Sequence, residues 1–326
     1  MQRPRNSRCP CGSRQKYKHC CGALSGHLLR PSDDELLSIA IVSDNEGLAA
    51  GEEPKQRSFQ NILRMFSKLG LDGVLITGDN APEIVRRIHA ANNRLFRPID
   101  QSVGGVHLGF FMFRDLFSRF RVPIAFGTPV IDMMQLLDFS DDQKRWMALD
   151  SNVMERFTDQ AFDLFDFGYG QMEFGHDRPV SDLSREFIFR SHIHLESAAA
   201  TVTSGSDYRG SLQSALLGTE LALKAGLSVR AYAADELKRE FSHNLKKAAR
   251  HLGSLVTSFD VDRTLRALDS FPDFAESRYQ GSQPNRREMG EILMKSQYIA
   301  SEVTRTFTDR NIRRSHIKRS ARSYPM

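Results

Sequence analysis

The 326-residue sequence predicts an α+β fold, and three observations lead to this prediction. All four cysteines lie within thirteen residues near the N-terminus, which predicts a small metal-bound knuckle of about residues 1–27. Apolar runs of strand length alternate with helical spacing over residues 36–130, which is typical of a small α/β domain. Residues 131–310 show helical spacing alone, which predicts a mainly α-helical bundle.

The charges are concentrated at the two ends of the chain. Residues 1–30 carry seven Lys or Arg and no Asp or Glu, and residues 305–326 carry seven against the single acid Asp309. The intervening body is acidic overall, and residues 311–326 form a basic tail. Basic ends predict contact with nucleic acid or another polyanion, although a solvated terminus has the same composition.

The apolar runs are short. No stretch approaches eighteen consecutive apolar residues, so the sequence predicts no membrane span. The N-terminal residues lack the apolar segment of a secretory signal. Both features favour a cytoplasmic protein.

The cysteines have the spacing C-x-C-x8-C-C, in Cys9, Cys11, Cys20 and Cys21. Two close thiolate pairs joined by a short loop can reach the four corners of a tetrahedron around Zn²⁺. In a reducing compartment, clustered thiols indicate a metal site, whereas a secreted scaffold spreads its cysteines along the chain. The four cysteines are therefore the predicted zinc ligands, and His19 could replace one of its neighbours.

This segment resembles the SEC-C motif, a small zinc module found at the C-terminus of the bacterial export ATPase SecA and in otherwise unrelated bacterial proteins. The resemblance covers roughly residues 5–24 and departs from the usual pattern at Arg14 and Gln15, which are not metal ligands. It implies a docking module that contacts a protein or the ribosome. The chain lacks a G-x-x-x-x-G-K-[ST] motif, so it is not the ATPase itself. The residues that fit the motif are Asn6, Cys9, Pro10, Cys11, Gly12, Ser13, Lys16, Tyr17, Lys18, Cys20, Cys21 and Gly22.

The elements of the predicted α/β domain follow from apolar runs and turn residues. The run of seven mostly apolar residues from Leu36 to Val42 predicts a buried strand. Apolar residues at helical spacing over 56–69 predict a helix, and Asp79 and Asn80 predict the start of another, with Pro82 in its first turn. The further predicted strands are 73–78, 106–113 and 122–126, with a helix over 109–120 as an alternative.

The bundle is predicted from helical periodicity interrupted by glycine and proline. Residues 151–166 place aromatic and aliphatic side chains on one face of a helix. The five further predicted helices are 182–204, 208–225, 233–252, 261–268 and 286–307.

Two segments of the bundle resemble HEPN domains, helical bundles of which many are RNases and others bind only nucleotides or RNA. Residues 208–225 resemble the central HEPN helix, with Glu220 and Lys224 one turn apart, and residues 241–248, with His243, resemble the segment that follows. The resemblance covers about residues 181–310. From the residues alone, the alternative for Glu220 and Lys224 is a surface ion pair, and the alternative for His243 is a satisfied histidine at a helix end.

HEPN RNases carry an Arg-x4–6-His signature that activates the ribose 2′-OH and stabilises the developing phosphorane charge. The resemblance implies Arg310 and His316 as the catalytic pair, and membership of the basic tail is the alternative. Similar spacing occurs in Arg14–His19 and in Arg185–His192. The second of these pairs could face the partner subunit of a homodimer that forms through the bundle.

Two other groups of residues could bind a metal. Asp159, Asp163 and Asp166 could form an acidic metal patch, although a solvated helix face explains them as well. His192 and His194 would both face a metal only on an extended chain, and the helix predicted there separates them.

The sequence therefore predicts a zinc-binding docking or adaptor protein. Its N-terminal module would bind the ribosome or another protein or RNA partner, and its body would carry an effector function. The alternative is a HEPN-like ribonuclease of a toxin or defence system, targeted by the zinc module.

Overall fold

The computed structural model divides the chain into two compact units, Met1–Val103 and Gly104–Met326. The division lies inside the segment predicted as a small α/β domain. The structure describes residues 6–8, 16, 31–71, 81–97, 105–125, 127, 129–175, 180–205, 208–229, 232–273, 277, 284–316 and 322–325.

The described part of the first unit is helical. Helix α1 spans Asp33–Ala49, α2 spans Pro54–Lys68 and α3 spans Glu83–Asn93. The three helices contact one another around a small core. This core includes Leu36, Ala40, Met65, Val85 and Ile88. The predicted helix over 56–69 is confirmed, and the one predicted after Asn80 begins at Glu83 with Pro82 as its N-cap.

The predicted strand over 36–42 is wrong, because these residues belong to α1. Ser32 and Glu35 form a capping box at its start, in which the Ser32 hydroxyl accepts the Glu35 N–H at 3.2 Å. Ile41 and Val42 are exposed, at 44% and 52%, so the apolar run is not buried as a strand would require. The predicted strand over 73–78 lies outside the described residues.

The second unit contains an antiparallel hairpin of β1, His107–Phe113, and β2, Leu116–Val122. His107 pairs with Val122 and Phe113 with Leu116, so a two-residue turn with Arg114 at φ 60° joins the strands. The predicted strand over 106–113 is confirmed. The predicted strand over 122–126 and the alternative helix over 109–120 are wrong. All of β1 except Leu108 is buried, so the run shows no alternation of apolar and polar residues.

The remaining elements of the second unit are helices, in agreement with the predicted bundle. The predicted helices over 182–204, 261–268 and 286–307 are confirmed with those bounds, and the helices predicted to end at 166 and 225 continue to Glu173 and Ser228. The described helices are α4 Asp141–Ala148, α5 Ser151–Glu173, α6 Asp182–Ser204, α7 Tyr208–Ser228, α8 Ala234–Phe241, α9 Leu245–Leu255, α10 Val261–Leu268, α11 Arg286–Phe307 and α12 Ile312–His316, with a 3₁₀ turn at Met133–Leu136.

The helix predicted over 233–252 is two helices, α8 and α9. Ser242 has φ 44°, a backbone conformation that an α-helix cannot accommodate. Asn244 then caps α9, and its side-chain oxygen accepts the Lys247 N–H at 2.9 Å.

Helices α5, α6 and α11 pack against strand β1. Gln297 of α11 accepts the Phe110 N–H and donates to the Phe110 carbonyl, both at 2.8 Å. Glu196 of α6 accepts the Leu108 N–H at 2.7 Å. Helix side chains therefore complete the hydrogen bonding of β1 that β2 leaves open, and they fix the hairpin inside the bundle. Within the described ranges, none of the helices is long and apolar enough to cross a membrane.

Candidate functional site

The predicted zinc ligands Cys9, Cys11, Cys20 and Cys21 lie outside the described residues, as does His19. Arg8 and Lys16 are described, and their backbones form an antiparallel bridge. A set of four thiol donors fits zinc, which takes sulfur ligands in tetrahedral sites.

The predicted catalytic Arg310 is held by a carboxylate. Its Nε donates to the Glu173 Oε2 at 2.6 Å, and its Nη2 contacts the other carboxylate oxygen. The hydrogen bond with Glu173 raises the pKa of Arg310, and the guanidinium also lies over the Tyr169 ring. His316 ends α12, and its side chain lies outside the description. The Arg310–His316 pair stays a prediction.

Arg185 and His192 both lie on α6, but one side chain is exposed and the other is buried. Arg185 is exposed and pairs with Asp182 at 3.0 Å, whereas His192 is buried against the hairpin. The prediction that His192 faces a partner subunit is therefore wrong.

Asp159, Asp163 and Asp166 are buried, with exposed fractions of at most 1%. Both predictions for this aspartate cluster, a solvated face and an acidic metal patch, are wrong. The side chains face the interior of the second unit, where arginines from α11, α12 and the C-terminal residues neutralise them.

Arg305 of α11 lies at the centre of the cluster. Its Nη1 lies 2.7 Å from the Asp163 carboxylate and 3.3 Å from that of Asp166, and its Nη2 lies 2.8 Å from Glu302. Arg322 contacts the other oxygen of Asp163. The cluster is therefore a network in which the buried charges have opposite partners.

The pKa values in this network reflect burial and pairing together. Burial raises the pKa of Asp166, against the opposing effects of Arg305 and of the Ile312 N–H. Burial alone would lower the pKa of Arg305, but Asp163, Glu302 and Asp166 raise it well above its ordinary value.

Asp159 binds the C-terminal residues. Its Oδ2 accepts the N–H of Ser323 at 2.7 Å and that of Tyr324 at 2.9 Å, and its Oδ1 contacts Arg313. Tyr324 is buried. Ile312, Arg313 and residues 322–324 of the predicted basic tail therefore contact buried aspartates of the second unit, whereas Arg314 and Ser315 are exposed.

Glu220, Lys224 and His243 come together, although the last belongs to a different segment. Glu220 is buried, and its two oxygens lie 2.5 Å from Lys224 Nζ and 2.9 Å from His243 Nδ1. The predicted i,i+4 pair exists, but it is not on the surface. His243 also borders a pocket of about 460 Å³. The pocket is lined by Ser242, His243, Asn244, Leu245, Lys246, Leu268, Phe271, Pro272 and Asp273.

A second buried polar cluster joins β1 to α6, and we call it the histidine cluster: His107, His192 and Glu196. The imidazole rings of His107 and His192 are 4.8 Å apart, and Glu196 Oε1 lies 3.7 Å from His107 Nδ1 and 3.5 Å from His192 Nε2. Phe167 contacts both rings, and Gly168 of α5 leaves space for His107. A Cβ at Gly168 would lie 2.9 Å from the His107 Cβ.

The hydrogen bonding of the histidine cluster is incomplete. Neither ring nitrogen of His107 has a partner, and His192 has one only at Nε2, 3.1 Å from the Val106 carbonyl. Burial, and then the neighbouring His192, lower the pKa of His107 well below its ordinary value. Burial also lowers the pKa of His192, against the opposing effect of Glu196. Both imidazoles are therefore neutral at pH 7.

Neither His107 nor Glu196 was predicted from the sequence, where His192 was paired only with His194. One local signal was available, because His192 and Glu196 lie four residues apart and share a face of α6. No spacing in the sequence indicated His107, because it becomes a neighbour of His192 and Glu196 only when β1 packs on α6.

Comparison with known protein families gives one match: residues 5–23 match the SEC-C motif. No curated protein and no solved structure matches the chain. The match covers the segment that contains all four cysteines, and the motif is typically zinc-binding. The chain therefore carries a SEC-C motif at its N-terminus, ahead of a helical body with a two-stranded antiparallel sheet.

Proposed function

We propose that residues 1–27 form a separate zinc module that docks this protein to a partner in the cytoplasm, with the ribosome as the first candidate. Cys9, Cys11, Cys20 and Cys21 would hold the ion as thiolates. The observation that carries the proposal is the SEC-C match over residues 5–23, which includes every cysteine of the chain. A thiolate site of this kind suits a reducing compartment.

The charge of the N-terminal segment supports a polyanionic partner. Residues 1–30 carry seven basic side chains and no acidic ones. Lys and Arg that neutralise phosphates release counterions, so binding to ribosomal RNA would weaken as the salt concentration rises.

The C-terminal residues offer fewer positive charges to a polyanionic partner. Arg313 and Arg322 contact Asp159 and Asp163 inside the second unit, so these two charges are already neutralised. We therefore assign docking to the N-terminal module and an effector role to the body.

Co-sedimentation of the full chain with ribosomes tests the proposal. The wild-type protein should migrate with ribosomes, and a Cys20→Ser, Cys21→Ser variant should lose both its zinc and its migration. Gln15→Ala is the matched control and should keep both, because Gln15 lies inside the motif and is not a metal ligand. Migration of the cysteine variant at the wild-type level would refute zinc-dependent docking.

Removal of zinc with a chelator tests whether the module is separate. Thiolate ligands compete with protons and chelators, and zinc modules of this size fold only with their metal. We expect chelation to abolish the migration. The Cys20→Ser, Cys21→Ser variant should keep the thermal melt of the body at the wild-type temperature. A large fall in the main melting temperature of the cysteine variant would show that the module belongs to the core.

The second candidate is a HEPN-like ribonuclease, and one observation favours it. The resemblance to HEPN domains rests partly on Glu220, Lys224 and His243. Lys224 and His243 both pair with Glu220, and His243 borders a pocket. RNA cleavage by the purified chain, abolished by Arg310→Ala or His316→Ala, would support this function. Glu173→Gln is an informative companion, because it releases Arg310 from its carboxylate without removing the guanidinium. Undiminished cleavage in the Arg310 and His316 variants would exclude these residues as the catalytic pair.

A further inference from the structure

The histidine cluster brings together three side chains that commonly bind metals. His107 comes from the first residue of β1, and His192 and Glu196 come from one face of α6. We propose that these residues bind a divalent transition-metal ion, with zinc as the reference case, at a site separate from the N-terminal cysteines.

The distances fit an ion of this size. Glu196 Oε1 lies 3.7 Å from His107 Nδ1 and 3.5 Å from His192 Nε2, and no two donor atoms of the cluster are more than 4.8 Å apart. Zinc bonds of about 2.0–2.1 Å in tetrahedral geometry place ligand atoms about 3.4 Å from one another. Two of the three separations therefore need a change of only a few tenths of an ångström. A rotation of one imidazole can shorten the third.

The unpaired nitrogens of His107 are the independent observation that indicates a ligand. The residue is 1% exposed, and neither Nδ1 nor Nε2 has a hydrogen-bond partner. Buried polar groups are nearly always paired, so an isolated buried imidazole needs a physical reason. A metal ion supplies one, because it binds the lone pair of a neutral imidazole.

The type of donor selects the class of ion. Two imidazole nitrogens and one carboxylate oxygen suit Zn²⁺, Fe²⁺ and related ions, whereas Ca²⁺ and Mg²⁺ prefer oxygen ligands alone. Three protein ligands leave one position of a tetrahedral site for water or for another donor. The carbonyl oxygen of Val106 is such a donor. It accepts a hydrogen bond from His192 Nε2 at 3.1 Å, so metal binding requires the His192 proton to move to Nδ1, which has no partner, and this frees both Nε2 and the carbonyl oxygen for the ion.

The surroundings orient the ligands and leave a path for the ion. The Leu108 N–H donates to Glu196 Oε1, which fixes the carboxylate while leaving it lone pairs for a metal. The Glu196 side chain is 33% exposed, so the cluster is open to solvent on that side. An ion can therefore reach the buried imidazoles without unfolding of the bundle.

Titration of the metal-free full chain with Co²⁺ distinguishes this site from the cysteine module. A thiolate-bound Co²⁺ gives an intense sulfur-to-metal charge-transfer band, and a Co²⁺ bound by nitrogen and oxygen gives none. We expect two Co²⁺ ions per chain, one with the band and one without. A variant with all four cysteines replaced by serine should keep only the ion without the band.

Glu196→Gln is the decisive variant, because its amide oxygen can still accept the Leu108 N–H. The second Co²⁺ should bind at least tenfold more weakly, since even the loss of an outer-shell contact costs about 10–100-fold in metal affinity. The matched controls on the same helix are Glu186→Gln, an exposed carboxylate, and His194→Ala, a neighbouring imidazole. Both controls should bind as the wild type does. The metal-free melting temperature checks that each variant keeps the fold, and His192→Gln repeats the test at a second ligand.

Two results would overturn the proposal. One is the binding of a single Co²⁺ that shows the thiolate band. The other is a second ion that Glu196→Gln and His192→Gln bind as tightly as the wild type does.

Discussion

The aspartate cluster and the histidine cluster are both buried in the second unit, but their polar groups are satisfied in opposite ways. Asp159, Asp163 and Asp166 have arginine or backbone N–H partners that come from within the chain. In the histidine cluster, three of the four imidazole nitrogens have no partner. Because burial removes water from both clusters, a polar group there depends on partners from the protein or from a bound ligand.

In these two clusters, the presence or absence of partners within the chain indicates the role of a buried polar group better than its residue type does. Three aspartates on one helix suggest a metal site by composition, but the arginines around them neutralise the charge and leave no reason for a cation to bind. Two histidines and a glutamate attract less notice in the sequence. Their unpaired nitrogens nevertheless support the metal site that we propose.

Asp163→Asn should have the largest effect. The substitution leaves Arg305 and Arg322 without their shared buried carboxylate, and breaking a buried ion pair typically costs about 3–5 kcal/mol. Urea denaturation measures the change in the free energy of unfolding. Asp142→Asn is the control, because its pair with Arg145 is exposed, and we expect little change. A loss for Asp163→Asn as small as that of the control would mean that the network does not stabilise the fold.

Arg322→Ala should have the next largest effect. It removes the hydrogen bond to Asp163 and the contact with the Tyr298 ring, and hydrogen bonds to charged groups contribute about 1.5–3 kcal/mol. The double variant with Asp163→Asn should lose less than the sum of the two single losses, since both remove the same contact. Fully additive losses in the free energy of unfolding would indicate that Arg322 and Asp163 do not interact.

The histidine cluster should make the stability of the metal-free protein depend on pH. The pKa values of His107 and His192 are lowered in the folded state, so the unfolded state binds more protons. The stabilisation is fully present above the unfolded pKa of about 6.5 and is lost as the pH falls toward the lower folded value. The slope should approach about 1.4 kcal/mol per pH unit for His107, whose pKa is lowered the further of the two, and be smaller for His192. Urea denaturation between pH 7.5 and 5.5, compared with His107→Leu, isolates the contribution of His107, and equal slopes would contradict its lowered pKa.

His107→Leu should have the smallest effect on the metal-free protein at pH 7.5. Replacing an unpaired buried imidazole by an apolar side chain of similar size should change the free energy of unfolding by less than about 1 kcal/mol. The variant should also lose any stabilisation by added zinc, because one ligand is missing. A loss above about 3 kcal/mol without metal would show that the imidazole is already satisfied within the protein, and the contrast with the aspartate cluster would disappear.

The elements that the sequence predicted best have local signals at their ends. Ser181 caps α6, Asp260 caps α10, and Asn285 forms a capping box with Glu288 at the start of α11. Each of these signals acts within three or four residues, so it is readable from the chain alone. The strand wrongly predicted over 36–42 shows the limit of this approach, since a short apolar run fits a strand or a helix equally well.

The candidate sites also differ in whether their residues lie close together along the chain. The cysteine spacing lies within one short segment, and the sequence alone identified it as a SEC-C motif. The environment of the aspartates depends on arginines at positions 305, 313 and 322, more than a hundred residues further along the chain. No spacing rule connects residues so far apart.

The sequence by itself determined the SEC-C motif, the helical body and the ends of several helices, because their causes are local chemistry and periodicity. Only the tertiary structure decided which polar groups are buried and which partners they have. It placed His107 beside His192 and Glu196, and it enclosed the aspartates with arginines from the C-terminal residues. The physical reason is that burial and pairing are properties of packed surfaces, and packing brings together residues that are distant along the chain.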